Sequence, residues 1–390
     1  MRNNTIWNRN FILVFLCNIL TAFSFHILSP TIPKYVLAVG GGVEIAGFVA
    51  TAFSITAILT RPVVGNYVNG PRKKAILTAA LVIVSVSILG YAFSERVSLL
   101  VLFRLLHGVG WGMVTTANST VLVASIPESQ IGRGIGLFGI SSSLASVFAP
   151  NLGLQLIEGV GYFRMFLISF LLAGLGCVLS LAIDEKSLRK PAAPGRKQKL
   201  ADRLFAREAV VPALVILCVG GGMATISNFI ALYADSLQVA NIGMYFTVAG
   251  AVMLFTRPLF GRLSDSKYNR AIVLASLAGY TCVFLTLGLA RSLPVFLLAA
   301  VLYGIFYGAL CPIVQTWCVK SADVSKTGTA NSTYYTSLDI GQALGASVAG
   351  VLTARMSYSG MYFTMMLPQL AAIALTAAVT LAERRRRSHT

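Results

Sequence analysis

One carboxylate of this sequence stands far inside an apolar stretch, where it could carry protons. Asp339 lies about twelve residues into a predicted helix, or roughly 18 Å at 1.5 Å per residue. The other acidic residues, of thirteen in total, lie in loops or near helix ends. An ionised carboxylate at the centre of a bilayer costs about 2.5–3.5 kcal/mol, so this group can bind and release protons near neutral pH. A structural Asp paired with a hydroxyl or an arginine is the alternative.

Three basic side chains within other apolar stretches could take part in the same chemistry. His26 and His107 can titrate near neutral pH, although a single histidine is more often a hydrogen-bonded packing residue. Arg104 precedes a glycine-rich face and could meet an anionic group on a substrate. We therefore regard Asp339, His26, His107 and Arg104 as candidates for proton coupling.

Further polar and aromatic side chains recur at helical spacing in the same stretches. They are Asn18 and Thr21 with His26; Trp111, Thr115 and Asn118 after Arg104 and His107; Thr225 and Asn228; Tyr303, Tyr307, Cys311 and Gln315; and Asn331, Tyr335 and Gln342 around Asp339. A polar residue inside a membrane helix usually faces protein or water, so these stripes are candidates for lining a substrate cavity. Hydrogen bonding between helices is the alternative role. The aromatic residues would suit an organic molecule better than a bare ion.

The composition indicates a membrane protein. Of 390 residues, 56% are hydrophobic and 11% are charged, whereas soluble domains carry about 25% charged residues. Apolar runs long enough to cross a bilayer recur along the chain. We predict an all-α membrane protein with twelve transmembrane helices, at residues 11–33, 45–68, 75–93, 98–124, 131–157, 162–183, 209–234, 241–263, 271–290, 293–319, 327–353 and 359–382.

The distribution of basic residues predicts the orientation. An even number of spans places both termini on one side, and most of the 31 Lys and Arg residues fall in segments on that side. By the positive-inside rule that side is the cytoplasm, and the basic segments would contact anionic membrane lipids. The net charge of +18 therefore needs no nucleic acid partner.

Two copies of one motif indicate an internal repeat. The segment TRPVVGNYVNGPRKKA at 60–75 aligns without a gap to TRPLFGRLSDSKYNRA at 256–271, an offset of 196 (256 − 60). The same offset places His107-Gly108 on Tyr303-Gly304. We predict two pseudo-symmetric six-helix halves, 1–183 and 209–390, the second ending in a basic tail. The basic segment 184–208 would be a flexible cytoplasmic linker.

These motifs resemble the major facilitator superfamily, and in particular its drug and metabolite proton antiporters. GRLSDSKYNR from Gly261 is similar to the cytoplasmic loop motif of that family, and GNYVNGPRKK from Gly65 is its degenerate partner. RLLHGVGWG from Arg104 resembles the motif of the fourth helix, and the resemblance implies that this arginine is structural or tied to proton coupling. ASVFAPNLG from Ala145 resembles the antiporter motif of the fifth helix, with Pro150 and Gly153 in place and Ala149 where that branch often has glycine.

The resemblance implies a conformational latch between the halves. Gly65 and Gly261 would allow close helix packing, and the acidic residue of each loop motif would face the start of a helix in the other half. Asp265 would then lie near Arg133, while Asn69 stands where the family usually has Asp and could cap a helix without charge. The remaining basic member of this set is Arg72. Alternatively, these residues only fix topology by charge.

The sequence thus predicts a proton-coupled exporter of small organic compounds that works by alternating access in a bacterial cytoplasmic membrane. An importer or symporter of a sugar or organic acid is the alternative within the same class. A membrane-embedded lipid-modifying enzyme would need a catalytic cluster that the three histidines do not form. No metal or cofactor is expected, since Cys311 and Cys318 have no histidine or carboxylate near them in sequence. We expect a monomer.

Overall fold

A computed structural model of the chain describes residues 6–68, 72–127, 131–188, 206–263, 269–321 and 327–388. In these ranges the structure contains helices and no strands. They are α1 Arg9–Ala38, α2 Val43–Val68, α3 Lys73–Ala92, α4 Val97–Ser125, α5 Ile131–Leu181, α6 Val210–Ser236, α7 Met244–Leu263, α8 Asn269–Leu289, α9 Leu293–Ser321, α10 Thr327–Arg355, α11 Tyr358–Thr364 and α12 Met366–Ser388, with short 3-10 turns at Glu185–Ser187 and Arg207–Ala209. Within the described ranges, nine helices are long and apolar enough to cross a membrane.

The structure divides the apolar stretches differently from the prediction at two places. The helices predicted at 131–157 and 162–183 form one stretch of 51 residues, α5, which is interrupted only at Gly161 with φ 79° and ψ 170°. Glycine tolerates a positive φ because it has no Cβ, so the chain bends there without a separate loop. The helix predicted at 359–382 is split at Met365 into α11 and α12. In the described ranges eleven helices reach 20 residues, and twelve separate spans remain a prediction.

Contacts between helices divide the chain into two units, Met1–Lys197 and Gln198–Thr390. In the first unit, α1 packs along α5, α2 packs along α4, and α3 contacts α4 and α5. In the second unit, α6 packs along α10, α7 packs along α9, and α8 contacts α9 and α12. The internal packing of the second unit thus repeats that of the first, as the sequence repeat predicts.

Glycines of α4 and α9 fix the closest of these repeated contacts. A Cβ on Gly112 would stand 2.6 Å from the carbonyl oxygen of Ala57 in α2, and one on Gly304 would stand 2.6 Å from that of Ala249 in α7. Gly108, which the 196-residue offset places on Gly304, is equally close to α2. Small residues let helix backbones approach in this way, which positions the polar stripe of each helix.

An aromatic cluster closes the same end of each unit. In the first unit, the Tyr35 hydroxyl donates to the carbonyl oxygen of Ser94 over 2.9 Å, and its ring lies 5.0 Å from that of Tyr162. In the second unit, the Tyr233 hydroxyl donates to the carbonyl oxygen of Ala290 over 2.9 Å, and its ring lies 5.6 Å from that of Tyr358. The repeat therefore extends to individual hydrogen bonds.

The start of the predicted linker is packed against the first unit. Asn10 donates to the carbonyl oxygen of Asp184 over 2.9 Å and accepts from its amide over 2.9 Å. Glu185 accepts a hydrogen bond from the amide of Lys74 over 3.1 Å, at the first turn of α3. Because helix starts carry unpaired amides and a partial positive charge, Glu185 supplies an acceptor that Arg72, the N-cap residue, does not.

Candidate functional site

The predicted stripe on α4 begins at a buried cationic group. Arg104 is 6% exposed, and its guanidinium carbon lies 4.6 Å from the ring centroid of Phe53. One turn further, His107 is fully buried, and its Nδ1 lies 2.9 Å from the hydroxyl of Tyr91 in α3. Arg104 Nε and His107 Nε2 are both shielded from solvent and have no hydrogen-bond partner among the described residues.

Aromatic rings from three helices surround this pair. Phe25 in α1 stacks on Trp111 in α4, with centroids 4.1 Å apart and planes 17° from parallel. Phe53 in α2 lies 5.4 Å from Phe25 and 5.2 Å from His107. His26 is half-buried beside Phe25, at 5.2 Å. The structure thus brings His26, Arg104, His107 and Trp111 into one region of the first unit.

Phe25 and Phe53 were absent from the sequence prediction, which selected mainly polar side chains. Phe25 stands seven residues after Asn18 and four after Thr21, so helical spacing places it on the same face of α1. That spacing could have identified Phe25. Phe53 has no comparable signal, because its repeat equivalent is Ala249 and its neighbours are apolar.

The lower part of the α4 stripe joins three helices by hydrogen bonds. Asn18 in α1 donates to Ser141 over 2.6 Å and to Ser142 over 3.0 Å, both in α5. Asn118 is fully buried and donates to Asn18 over 3.4 Å. Asn118 Oδ1 has no partner within the described ranges. Asn18 and Asn118, predicted to contact substrate, therefore hold α1, α4 and α5 together, and the sequence prediction missed their serine partners.

Three other hydroxyl and amide groups hydrogen-bond within their own helices. The hydroxyl of Thr115 donates to the carbonyl oxygen of Trp111 over 2.9 Å, and that of Thr225 donates to Gly221 over 3.0 Å. Asn228 donates to the carbonyl oxygen of Ala224 over 2.8 Å. These bonds use the hydroxyl hydrogens of Thr115 and Thr225 and one of the two amide hydrogens of Asn228. Thr115 and Asn228 remain half-buried.

Tyrosines of α9 form the centre of the second unit. Tyr303 and Tyr307 stack with centroids 4.8 Å apart and planes 9° from parallel. The Tyr307 hydroxyl lies 2.9 Å from Sδ of Met223 in α6. Tyr280 in α8 lies 6.0 Å from both rings. The rings are buried among α6, α8 and α9, so only small parts of the predicted cavity residues Tyr303 and Tyr307 are open to a ligand.

The carboxylate at 339 lies within α10, twelve residues after Thr327 and sixteen before Arg355. Asp339 is half-buried and its Oδ2 is shielded from solvent. On the same helix Tyr335 is 46% exposed and accepts a hydrogen bond from Nε2 of Gln315 in α9 over 3.3 Å. Gln342 is also half-buried. The structure therefore places Asp339 between two accessible polar positions of α10.

Most of the predicted latch residues cannot be placed. Asn69 and Asp265 lie outside the described residues. Gly65, Arg133 and Gly261 belong to helices, but their side-chain surroundings are outside the described part of the chain, as are those of the cavity candidate Asn331. Arg72 is exposed at the start of α3.

In the part of the chain that the structure describes, no group of three His, Cys, Asp or Glu side chains is arranged to hold a metal ion. The six cysteines are all free thiols. What the helices carry is a set of buried polar and aromatic side chains within each of two repeated units.

The sequence profile of the Major Facilitator Superfamily matches residues 14–267 and again residues 212–390. The chain belongs to this superfamily. It is therefore a multi-pass integral membrane protein of a transporter family, and the resemblance of its loop and helix motifs is confirmed. Membership accounts for the repeated packing of the two units, since transporters of this kind are built from parallel repeats.

Bacterial relatives of this major facilitator match it over most of their length. A multi-drug resistance efflux pump PmrA homolog from Lactococcus lactis is 24% identical over 377 residues, covering 92% of this chain and 91% of the relative. Multidrug resistance protein MdtG from Enterobacter lignolyticus is 24% identical over 377 residues, covering 91% and 88%. Among solved structures, nucleoside transporter NupG superimposes with a TM-score of 0.77 at 12% identity, covering 95% of this chain and 99% of that one. The similarity to NupG shows a shared fold only.

Proposed function

We propose that this major facilitator is a proton-coupled secondary transporter that exports small organic compounds by alternating access. Relatives of matching length that bear the names of multidrug efflux pumps support the export direction. The antiporter-like motif of α5 supports it as well. In this chain a Cβ on Gly153 of that motif would stand 2.5 Å from the carbonyl oxygen of Ile27 in α1. The glycine of that motif thus has a packing reason in this chain.

The observation that best supports proton coupling is the position of Asp339 in α10. A carboxyl group near the middle of a 29-residue helix, with one oxygen shielded from solvent, is costly to keep ionised inside a membrane. Protonated, it is a neutral hydrogen-bond donor; ionised, it attracts a cation or a proton. Competition between substrate and proton at such a group is what exchange transport requires. His26, His107 and Arg104 are the secondary candidates for this role.

In the proposed cycle, residues 1–183 rock against residues 209–390 across twelve spans, with both termini in the cytoplasm of a bacterial cell. The stripes on α1, α4, α6, α9 and α10 would line the path between the halves. Asp265 and Asn69, with Gly65, Arg72, Arg133 and Gly261, would hold the cytoplasmic ends together in one state, because an acceptor at a helix start is stabilised by its amides. The protein would act as a monomer, with anionic lipids around its basic segments.

Proton flux in sealed proteoliposomes tests the proposal. Purified protein would be assayed with cationic, zwitterionic and anionic organic compounds, comparing the wild type with Asp339→Asn. We expect at least one compound to drive proton movement in the wild type, and the variant to lose that movement while still binding the compound. Asp235→Asn is the matched control, because Asp235 is exposed at the end of α6 and should keep full coupling.

The possible outcomes distinguish the coupling role of Asp339 from the antiport mechanism itself. Full coupling in Asp339→Asn would make Asp339 structural and move the coupling role to His26, Arg104 or His107. Compound movement without any proton movement in the wild type would contradict the antiporter itself and favour proton-independent transport.

A further inference from the structure

The Arg104 and His107 pair presents two buried donors that lack acceptors. The hydroxyl of Tyr91 has one hydrogen to donate. Its nearer acceptor is His107 Nδ1 at 2.9 Å, and the carbonyl oxygen of Phe103 is 3.4 Å away. The shorter contact favours donation to Nδ1, and a neutral imidazole then carries its own hydrogen on Nε2. Nε2 of His107 and Nε of Arg104 are thus N–H groups without acceptors in the described ranges.

The positive charge of Arg104 also has no acidic side chain beside it among the described residues of the first unit. A buried guanidinium is costly unless an anion or several acceptors compensate it. The described acidic residues of the first unit are Glu44, Glu95, Glu158, Asp184 and Glu185, and all stand at helix ends, in loops or next to the break at Gly161. The structure gives the guanidinium the face of Phe53 instead. Within the described part of the first unit, the site therefore lacks an anionic acceptor.

The aromatic residues beside Arg104 and His107 indicate what else a ligand of this site would contain. Phe25 and Trp111 are half-buried and stacked, so parts of both rings remain open beside the buried donors. Flat apolar groups stack favourably on such rings. A ligand that satisfies the donors and covers the rings must combine an anionic group, such as a carboxylate or sulfonate, with an aromatic body.

We infer that Arg104 and His107 form an anion-binding subsite in the first unit, and that the substrate of this transporter is an aromatic organic anion whose body stacks on Phe25 and Trp111. This inference rests on the proposed function, because it names the substrate class of that transport. It also assigns Arg104 a contact with substrate, one of the three roles that the sequence left open.

Calorimetric titration of the purified full chain with three probes of nearly equal shape tests the subsite. The probes are 2-naphthoate, 2-naphthamide and 2-naphthylmethylammonium, which are anionic, neutral and cationic. We expect the wild type to bind 2-naphthoate about tenfold or more tightly than either of the others, because a hydrogen bond to a charged group is worth that difference. This comparison uses the wild type alone and does not depend on any variant folding.

Substitutions then locate the selectivity. In Arg104→Gln the preference for 2-naphthoate over 2-naphthamide should disappear, whereas Arg104→Lys should keep part of it because the charge remains. Trp111→Ala should weaken all three probes to a similar extent. Arg96→Gln is the matched control: the same charge is removed from the exposed N-cap position of the same helix, and the preference should be unchanged.

The results separate this inference from the proposed function. Equal binding of the three probes by the wild type, or an unchanged preference in Arg104→Gln, would overturn the subsite even if proteoliposomes showed proton-coupled export. Anion preference that depends on Arg104 would support the subsite, and absence of proton movement with 2-naphthoate would then count against the coupling alone.

Discussion

At the scale of single residues, the polar side chains of the helices fall into two kinds. Some donate a hydrogen bond to a carbonyl group of their own helix, such as Thr115 and Asn228. Others keep buried donors without acceptors, such as Arg104 and His107. Only the second kind offers a ligand what it needs, because a donor already paired inside the protein gains little from a new acceptor.

We expect Asn18→Ala to lower the free energy of unfolding by about 1–3 kcal/mol, since it leaves buried groups of α4 and α5 without their partner. Asn18 is bonded to Ser141, Ser142 and Asn118. Asn228→Ala is the control and should cost less, because its amide bonds only to the preceding turn of α6. Thermal unfolding in detergent measures both, and an equal effect of the two substitutions would contradict the network.

Sequence spacing could predict which residues share a face, but not how their donors are used. The stripe from Arg104 to Asn118 was placed correctly on one side of α4. The use of Asn118 as a bridge to α1 depends on how closely two helices approach, which the spacing within one helix does not determine. Phe53 could not be found for the same reason: only packing of α2 against α4 brings its ring to Arg104.

At the scale of helices, glycine contacts set the distance between packed elements. A Cβ on Gly345 of α10 would overlap the backbone of Gly221 in α6, whereas one on Gly174 of α5 would meet nothing within 4 Å. The two positions thus form a matched pair of helical glycines, one in contact with a neighbour and one open.

Gly345→Ala should lower the free energy of unfolding by about 1–3 kcal/mol, because overpacking forces the backbones of α6 and α10 apart. Gly174→Ala should be neutral or stabilising by about 0.5–1 kcal/mol, since alanine is the better helix former. Thermal unfolding of both variants in the same detergent gives the comparison. A harmless Gly345→Ala would show that the α6 and α10 contact is looser than described.

The repeated aromatic clusters allow a second test of packing between elements. Tyr35→Phe removes one hydrogen bond, to the carbonyl oxygen of Ser94. Tyr233→Phe removes the equivalent bond to Ala290 and also the acceptor for Nη1 of Arg291 at 2.7 Å. Tyr233→Phe should therefore cost about 1.5–3 kcal/mol and Tyr35→Phe about 1 kcal/mol. Chemical or thermal unfolding would show the order, and a larger cost for Tyr35→Phe would contradict it.

The helices themselves were largely predictable, because apolar length is a direct consequence of the bilayer. The predicted bounds 98–124 and 327–353 differ from α4 and α10 by no more than two residues at either end. The break at Gly161 lies between the helices predicted at 131–157 and 162–183, so the sequence located this interruption. The first helix continues to Ala38 through Pro30 and Pro33, which neighbouring helices tolerate in a membrane protein.

At the scale of the whole molecule, the two units share one internal plan but differ in the chemistry they carry. The first unit contains the cationic and aromatic region around Arg104, and the second contains Asp339 with the tyrosines of α9. Pseudo-symmetry explains the common packing, because both units descend from one helix arrangement. It does not dictate the side chains, as the replacement of His107 by Tyr303 at the equivalent position shows. An anion subsite in one unit and a proton-binding group in the other is a division of roles that exchange transport can use.

The orientation that the basic residues predict for the whole chain can be tested by cysteine labelling. In a variant without native cysteines, Ser98→Cys and Ser292→Cys report on one predicted face and Lys186→Cys on the other, and all three positions are exposed. Because basic segments stay in the cytoplasm, a membrane-impermeant maleimide should label the first two in intact cells. It should reach Lys186→Cys only after permeabilisation. Immediate labelling of Lys186→Cys with protection of the serine positions would place the termini outside, and both the proposed export direction and the side of lipid contact would then have to be reversed.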